Sequence, residues 1–151
     1  MLLYTIGVVS PAQGAVNETI LTSPSVTLTA KSLEGNYDLH LYFGNTKPYL
    51  DGVQLMRGPE DGLSGTMHVP DDFDAQLEEL SFDSTHIRFE VKVPANSARP
   101  QDMRFLYEAT VSPHDEKNFS GHVTLTHVAG EKLEKASYVA SFLMFKTNTQ
   151  N

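Results

Sequence analysis

Apolar and polar residues alternate along most of this chain, and period-two alternation predicts half-buried strands. Tyr37, Leu39, Leu41 and Phe43 share one face of residues 36–43. Ile87, Phe89, Val91 and Val93 alternate with His86, Arg88, Glu90 and Lys92, the clearest case in the chain. Met103, Phe105, Tyr107, Ala109 and Val111 form a further inward row, with Arg104, Glu108 and Thr110 opposite. Residues 49–57, 63–69, 119–128 and 136–146 read as strands in the same way, and residues 26–30 as a short one before them. Gly44-Asn45, Gly58-Pro59-Glu60-Asp61-Gly62, Pro70 and Ser112-Pro113 punctuate the series as turn and breaker signals. Residues 71–80 carry two readings. Asp72 as a cap with Phe73, Leu77 and Leu80 fits a short helix, whereas residues 77–82 also fit a strand turning at Asp83-Ser84.

The count is about eight strands at close spacing with at most one short helix, an all-β barrel or sandwich. Sequential hairpins favour a single antiparallel up-and-down meander, and closing it removes the exposed edges. Three strands open alike, at Leu33-Glu34-Gly35-Asn36-Tyr37, Leu63-Ser64-Gly65-Thr66-Met67 and Phe119-Ser120-Gly121-His122-Val123. A strand glycine marks a bulge, a bend or a close backbone approach, so Gly35, Gly65 and Gly121 are expected where the sheet curves. The last strand departs from clean alternation. Tyr138, Ala140, Phe142 and Met144 fill one face while Val139, Leu143 and Phe145 crowd the other. A strand apolar on both faces is covered on both, here by the N-terminal apolar run or by a second copy in a homodimer.

The 151 residues fit one domain, with residues 1–30 as an N-terminal strand or extension and residues 33–146 as the barrel. Nineteen acidic against eleven basic residues give a formal charge of −8, which argues against nucleic acid and against anionic membrane as partners. Cysteine is absent, removing thiol chemistry and Cys-ligated metal. No stretch approaches the roughly 20 apolar residues of a membrane-spanning helix. Residues 2–9 are apolar and Ala12-Gln13-Gly14-Ala15 resembles a cleavage site, yet the basic leader of a signal peptide is missing. A first strand and a signal remnant both stand, and the compartment stays open between cytoplasm and export.

Parity places His40, His68, His86 and His122 on polar faces, without metal-ligand spacing. The same count turns His127 inward, as a hydrogen-bonded core histidine or as a polar handle in a cavity. Tyr37, Tyr107 and Tyr138 also point inward, and each buried hydroxyl needs a partner. With Met67, Met103, Met144, Phe89 and Phe105 they form either a packed core or the lining of an apolar, adaptable pocket. The acids at Asp71, Asp72, Asp74, Glu78 and Glu79 lack the order of a calcium loop and read as a solvated turn. No nucleophile elbow, phosphate loop or dinucleotide fingerprint occurs, and nothing in the pattern calls for a cofactor.

At Gly35-Asn36-Tyr37 the chain resembles the Gly-x-Trp strand opening of calycins, the lipocalin-like and fatty-acid-binding-like barrels. The openings at Gly65 and Gly121 resemble strand starts in bacterial lipocalin-like modules. Tyr37 stands where the family has Trp, and Lys146 is the candidate for the basic residue that packs over that ring. The resemblance implies an eight-stranded barrel holding one small hydrophobic or aromatic ligand, here met by Tyr37, Tyr107, Tyr138, His127, Met67, Phe105 and Phe89. Two other functions compete with that one. A structural or interaction module would use the outer side of the last strand, and a barrel isomerase or cyclase would need His127 and a tyrosine together in one pocket.

Overall fold

The computed structural model describes residues 26–44, 47–130 and 135–147. A four-residue helix α1 (Ala30–Leu33) leads into eight strands: β1 (Gly35–Tyr42), β2 (Tyr49–Arg57), β3 (Leu63–Val69), β4 (Phe73–Phe82), β5 (His86–Val93), β6 (Met103–Ser112), β7 (Asp115–Val128) and β8 (Ser137–Lys146). Each strand pairs antiparallel with the next, and β1 pairs with β8. The sheet is therefore a closed all-β, up-and-down barrel in strict sequence order. Inward rows from every strand meet in one core that includes Leu39, Val53, Met67, Phe89, Phe119, Phe142 and Met144.

The expected strand at residues 26–30 is instead the approach to α1. Thr29 and Ser32 cap that helix reciprocally: the Ser32 amide donates to Thr29 Oγ1 (3.0 Å) and the Thr29 amide to Ser32 Oγ (2.9 Å). Leu28, Ala30 and Leu33 are buried, so the helix plugs one end of the barrel. Tyr37 donates its hydroxyl to the Leu33 carbonyl (2.7 Å), and Lys146 Nζ donates to the Ser32 carbonyl (2.7 Å) while lying 5.8 Å from the centre of the Tyr37 ring. Two helix carbonyls that α1 cannot satisfy itself are thereby bonded from the barrel wall. Burial lowers the Lys146 pKa and raises that of Tyr37, so each group meets the other as a poorly hydrated partner.

The helical reading of residues 71–80 is overturned by β4. Leu77 and Leu80 both pack on the core at a three-residue spacing because one extra residue is inserted into β4 opposite β5 between Glu78 and Ser81. Glu79 sits there at φ 48°, the left-handed conformation of a bulge. A bulge has imitated helical periodicity.

The three glycines do not coincide with register shifts, which fall elsewhere in β4–β5, β6–β7 and β7–β8. They mark close approach. Gly35, at φ 146°, makes room for Lys146, whose Cε would lie 2.7 Å from an added Cβ. A Cβ on Gly121 would lie 2.0 Å from the Glu108 carbonyl oxygen, so β7 runs against β6 with no space for any side chain. Gly65 is similarly hemmed in by β2 and Leu77.

Candidate functional site

Among the described residues, no helix covers the end opposite α1. There the β3–β4 turn, the loop of residues 94–102 and the ends of β1, β2, β5 and β6 surround a pocket of about 430 Å³. Its walls include Leu41, Val69, Phe73 and Val93, with Asp51, Arg99 and Tyr107 as polar members. That size and mixture fall in the range of small-molecule pockets. Tyr107 forms the floor: it is 5% exposed, stacks on Phe89 at 5.0 Å and meets Phe142 at 5.6 Å. Below it the interior is filled by side chains.

One wall is pinned by a charged clamp. Arg99 donates two hydrogen bonds to the Asp72 carboxylate (2.8 and 3.0 Å), and its guanidinium lies 5.6 Å from the centre of the Phe73 ring. Asn96 adds a third bond to Asp72 (3.0 Å) and accepts the backbone amides of Ala98 and Arg99. This bidentate geometry orders the loop across the mouth and holds the Asp72 carboxyl below the usual carboxylate range. Arg99 Nε is buried without a partner.

Asp51 is the anomaly of the site. It shares the inward face of β2 with Val53 and Leu55, opposite fully buried Leu39, and is itself half-buried. Burial pushes its pKa up to about 6, against the lowering influence of His68, and the Asp72 charge pushes the same way as burial. Its own charge adds to burial in raising the pKa of the Tyr107 hydroxyl. Neither group has a hydrogen-bond partner among the described residues. Both line the pocket and stay open to it, so water entering from the mouth can satisfy them.

A larger depression, about 660 Å³, runs across the outer face of β5, β6 and β7. Its ionisable groups are already paired: His122 with Glu108 (3.2 Å), Arg88 with Glu108 (3.8 Å) and His86 with Asp83 (3.2 Å). It is a solvated sheet face with its charges satisfied.

The residues expected to line a ligand site are dispersed. Tyr107 is in the pocket. Tyr37, Met67 and Phe89 are 0–1% exposed within the packed core, and Phe105 packs partly buried against it. Tyr138 and His127 do not face inward at all. Between Val123 and Thr124 the register of β8 gains one residue, Val139, which turns onto the core and leaves Tyr138 66% exposed. Between Arg104 and Phe105 the register of β7 gains Thr126, so Val128 is buried and His127 lies outside, opposite Arg104. The His–Tyr pair required for chemistry in the barrel is therefore not assembled. The same bulge removes Val139 from the outer patch of β8, where Leu143 and Phe145 remain partly buried, with His40 edge-on to Phe145 at 5.3 Å. The N-terminal run expected to cover them lies outside the described residues.

Asp51, Arg99, Asp72 and Phe73 went unselected by sequence reasoning. Only Asp51 carried a local signal, an acid on the dry parity of a strand. Compared with known proteins, the chain matches no family model, no curated sequence and no solved structure.

Proposed function

We propose that this protein is a small-ligand-binding barrel of the calycin type, taking its ligand at the open mouth and not in the depth of the barrel. The carrying observation is the pocket of about 430 Å³ in which two unpartnered polar groups, Asp51 and Tyr107, stand among apolar walls. Pockets of this kind use apolar contact for affinity and a few polar atoms for orientation. The other end supports the calycin reading. Tyr37 occupies the position of the family's Trp, and Lys146 packs over it as the basic residue does. A neutral dye such as N-phenyl-1-naphthylamine tests the reading. Its fluorescence should rise on binding, and Val69→Trp, which fills the mouth, should abolish the rise without unfolding the barrel. No rise in the wild type, or a rise untouched by Val69→Trp, refutes it.

A second reading, a protein-interaction module, is favoured by the rim. Tyr49 and Leu50 are 63% and 56% exposed side by side, with Phe43 edge-on to Tyr49 at 5.4 Å. Sedimentation would show concentration-dependent association reversed by Leu50→Lys; a strict monomer at high concentration counts against self-association through this rim.

A further inference from the structure

Resting on the mouth-pocket reading, we propose that the occupant carries an ammonium group on an aromatic or aliphatic body, with Asp51 as its counter-ion and the Tyr107 hydroxyl as a second acceptor. Charge arithmetic within the pocket is the starting point. Arg99, the cation of the lining, is committed to Asp72 through two bonds and stacked on Phe73. That pair is neutral as a unit. Among the described residues Asp51 then has no ion-pair or hydrogen-bond partner, and it lines the same pocket from the inward face of β2 as Tyr107, whose hydroxyl is likewise unbonded.

The groups facing Asp51 have each been accounted for on their own element. β1 offers apolar Leu39 and Leu41. On β3, His68 is exposed and engages Asp74 at 2.5 Å. The β3–β4 turn presents Asp72, the 94–102 loop presents Arg99, and β6 presents Tyr107. None of them donates a hydrogen bond to the Asp51 carboxylate.

A ligand ammonium supplies both missing elements, a positive charge and up to three donors. A charge-assisted bond to a carboxylate in a partly dry site is stronger than a neutral one. Leu41, Val69, Phe73 and Val93 provide apolar contact for the body of the ligand, and the Phe73 ring is already taken by Arg99 on one side. The chain's formal charge of −8 favours approach of a cation over that of an anion. A carboxylate ligand would meet Asp51 at close range, and like charges in such a site repel strongly.

The test compares three probes of one size on the full chain by calorimetry and amide-shift mapping: phenethylammonium, 2-phenylethanol and phenylacetate. Phenethylammonium should bind at least tenfold tighter than 2-phenylethanol, with shifts at Asp51, Val69 and Tyr107, and phenylacetate weakest. Asp51→Asn should remove the preference, bringing phenethylammonium and 2-phenylethanol to within about twofold of each other. As a readout that needs no variant, ammonium affinity in the wild type should fall about tenfold from pH 7 to pH 5 as the Asp51 carboxylate protonates. Equal binding of ammonium and alcohol at the mouth, or an affinity indifferent to pH and to Asp51→Asn, overturns the ammonium inference while the mouth pocket stands. Absence of any shift at the mouth with all three probes overturns both.

Discussion

Replacing Asp51 by Asn should make the empty protein more stable at neutral pH. Asn keeps the shape of the side chain and removes only its charge. The carboxyl titrates near pH 6 in the folded barrel against an ordinary 3.8. Two units at 1.36 kcal/mol each set a ceiling of about 3 kcal/mol for what ionisation of Asp51 costs the fold. Water reaches the half-buried carboxyl from the mouth and screens part of that, leaving about 1–2 kcal/mol. The sign follows from proton linkage. Between pH 4 and 6 the folded chain holds a proton at Asp51 that the unfolded chain has released, so this residue makes stability fall as pH rises. Asp72, Asp83 and Asp102 have lowered pKa values and act in the opposite direction at more acid pH, which is why the difference between variant and wild type is the quantity to follow. Urea denaturation at pH 3.5 and pH 7.5 measures it. The two proteins should be of similar stability at the lower pH, with the gap opening through pH 4–6 to about 1–2 kcal/mol, or roughly 2–8 °C in Tm. A variant no more stable than wild type at pH 7.5, or a gap independent of pH, would refute the claim that Asp51 is a partly dehydrated, unpartnered charge.

Two tyrosines should respond unequally to loss of the hydroxyl: Tyr37→Phe strands the Leu33 carbonyl and should cost about 1–2 kcal/mol, while Tyr107→Phe should stay within about 0.5 kcal/mol of wild type, both by urea denaturation. Phenethylammonium affinity should nonetheless drop several-fold in Tyr107→Phe by calorimetry. Lys146→Met keeps the apolar stem but loses the bond to the Ser32 carbonyl and the cation above Tyr37, and should cost about 1–2 kcal/mol in the same denaturation assay. Gly121→Ala forces β6 and β7 apart, because its Cβ would lie 2.0 Å from the Glu108 carbonyl oxygen, and should cost about 3 kcal/mol; a Tm within 2–3 °C of wild type, on the order of 1 kcal/mol, would contradict the close approach.

Strand count, barrel class and sequential pairing were legible because alternation reports one dry face and one wet face wherever a strand is regular. Parity fails at a bulge, and here the bulges carry no warning in sequence. The inserted residues at Thr126 and Val139, and Glu79 in its left-handed conformation, are neither Gly nor Pro. Each moves every residue beyond it to the opposite face, which is how Tyr138 and His127 came to be expected inside. The glycines that were legible serve a different purpose, the close passage of one strand over another or over Lys146. The clamp of Arg99 on Asp72 joins residues 27 apart, and the pairing of β4 with β5 between their two connections brings them to the same mouth.

What parity did carry, up to the first bulge, was the departure from rule that matters most. Tyr49, Asp51, Val53 and Leu55 share one face of β2, and a carboxylate on that face contradicts the pattern around it. Attention to clustered acids at residues 71–79 favours number over position, yet of those acids Asp72 is already bonded and Glu78 is paired with Arg104. Position also separates Tyr37 from Tyr107. Both lie on inward parity and both bring a hydroxyl into the barrel, but α1 supplies a carbonyl at one end and no described residue supplies a partner at the other. The plugged end thus consumes its polar groups in holding the fold. At the other end the same residue type, with no hydrogen bond from any described residue, stands beside a carboxylate that also has none, and the proposed ligand site rests on that contrast.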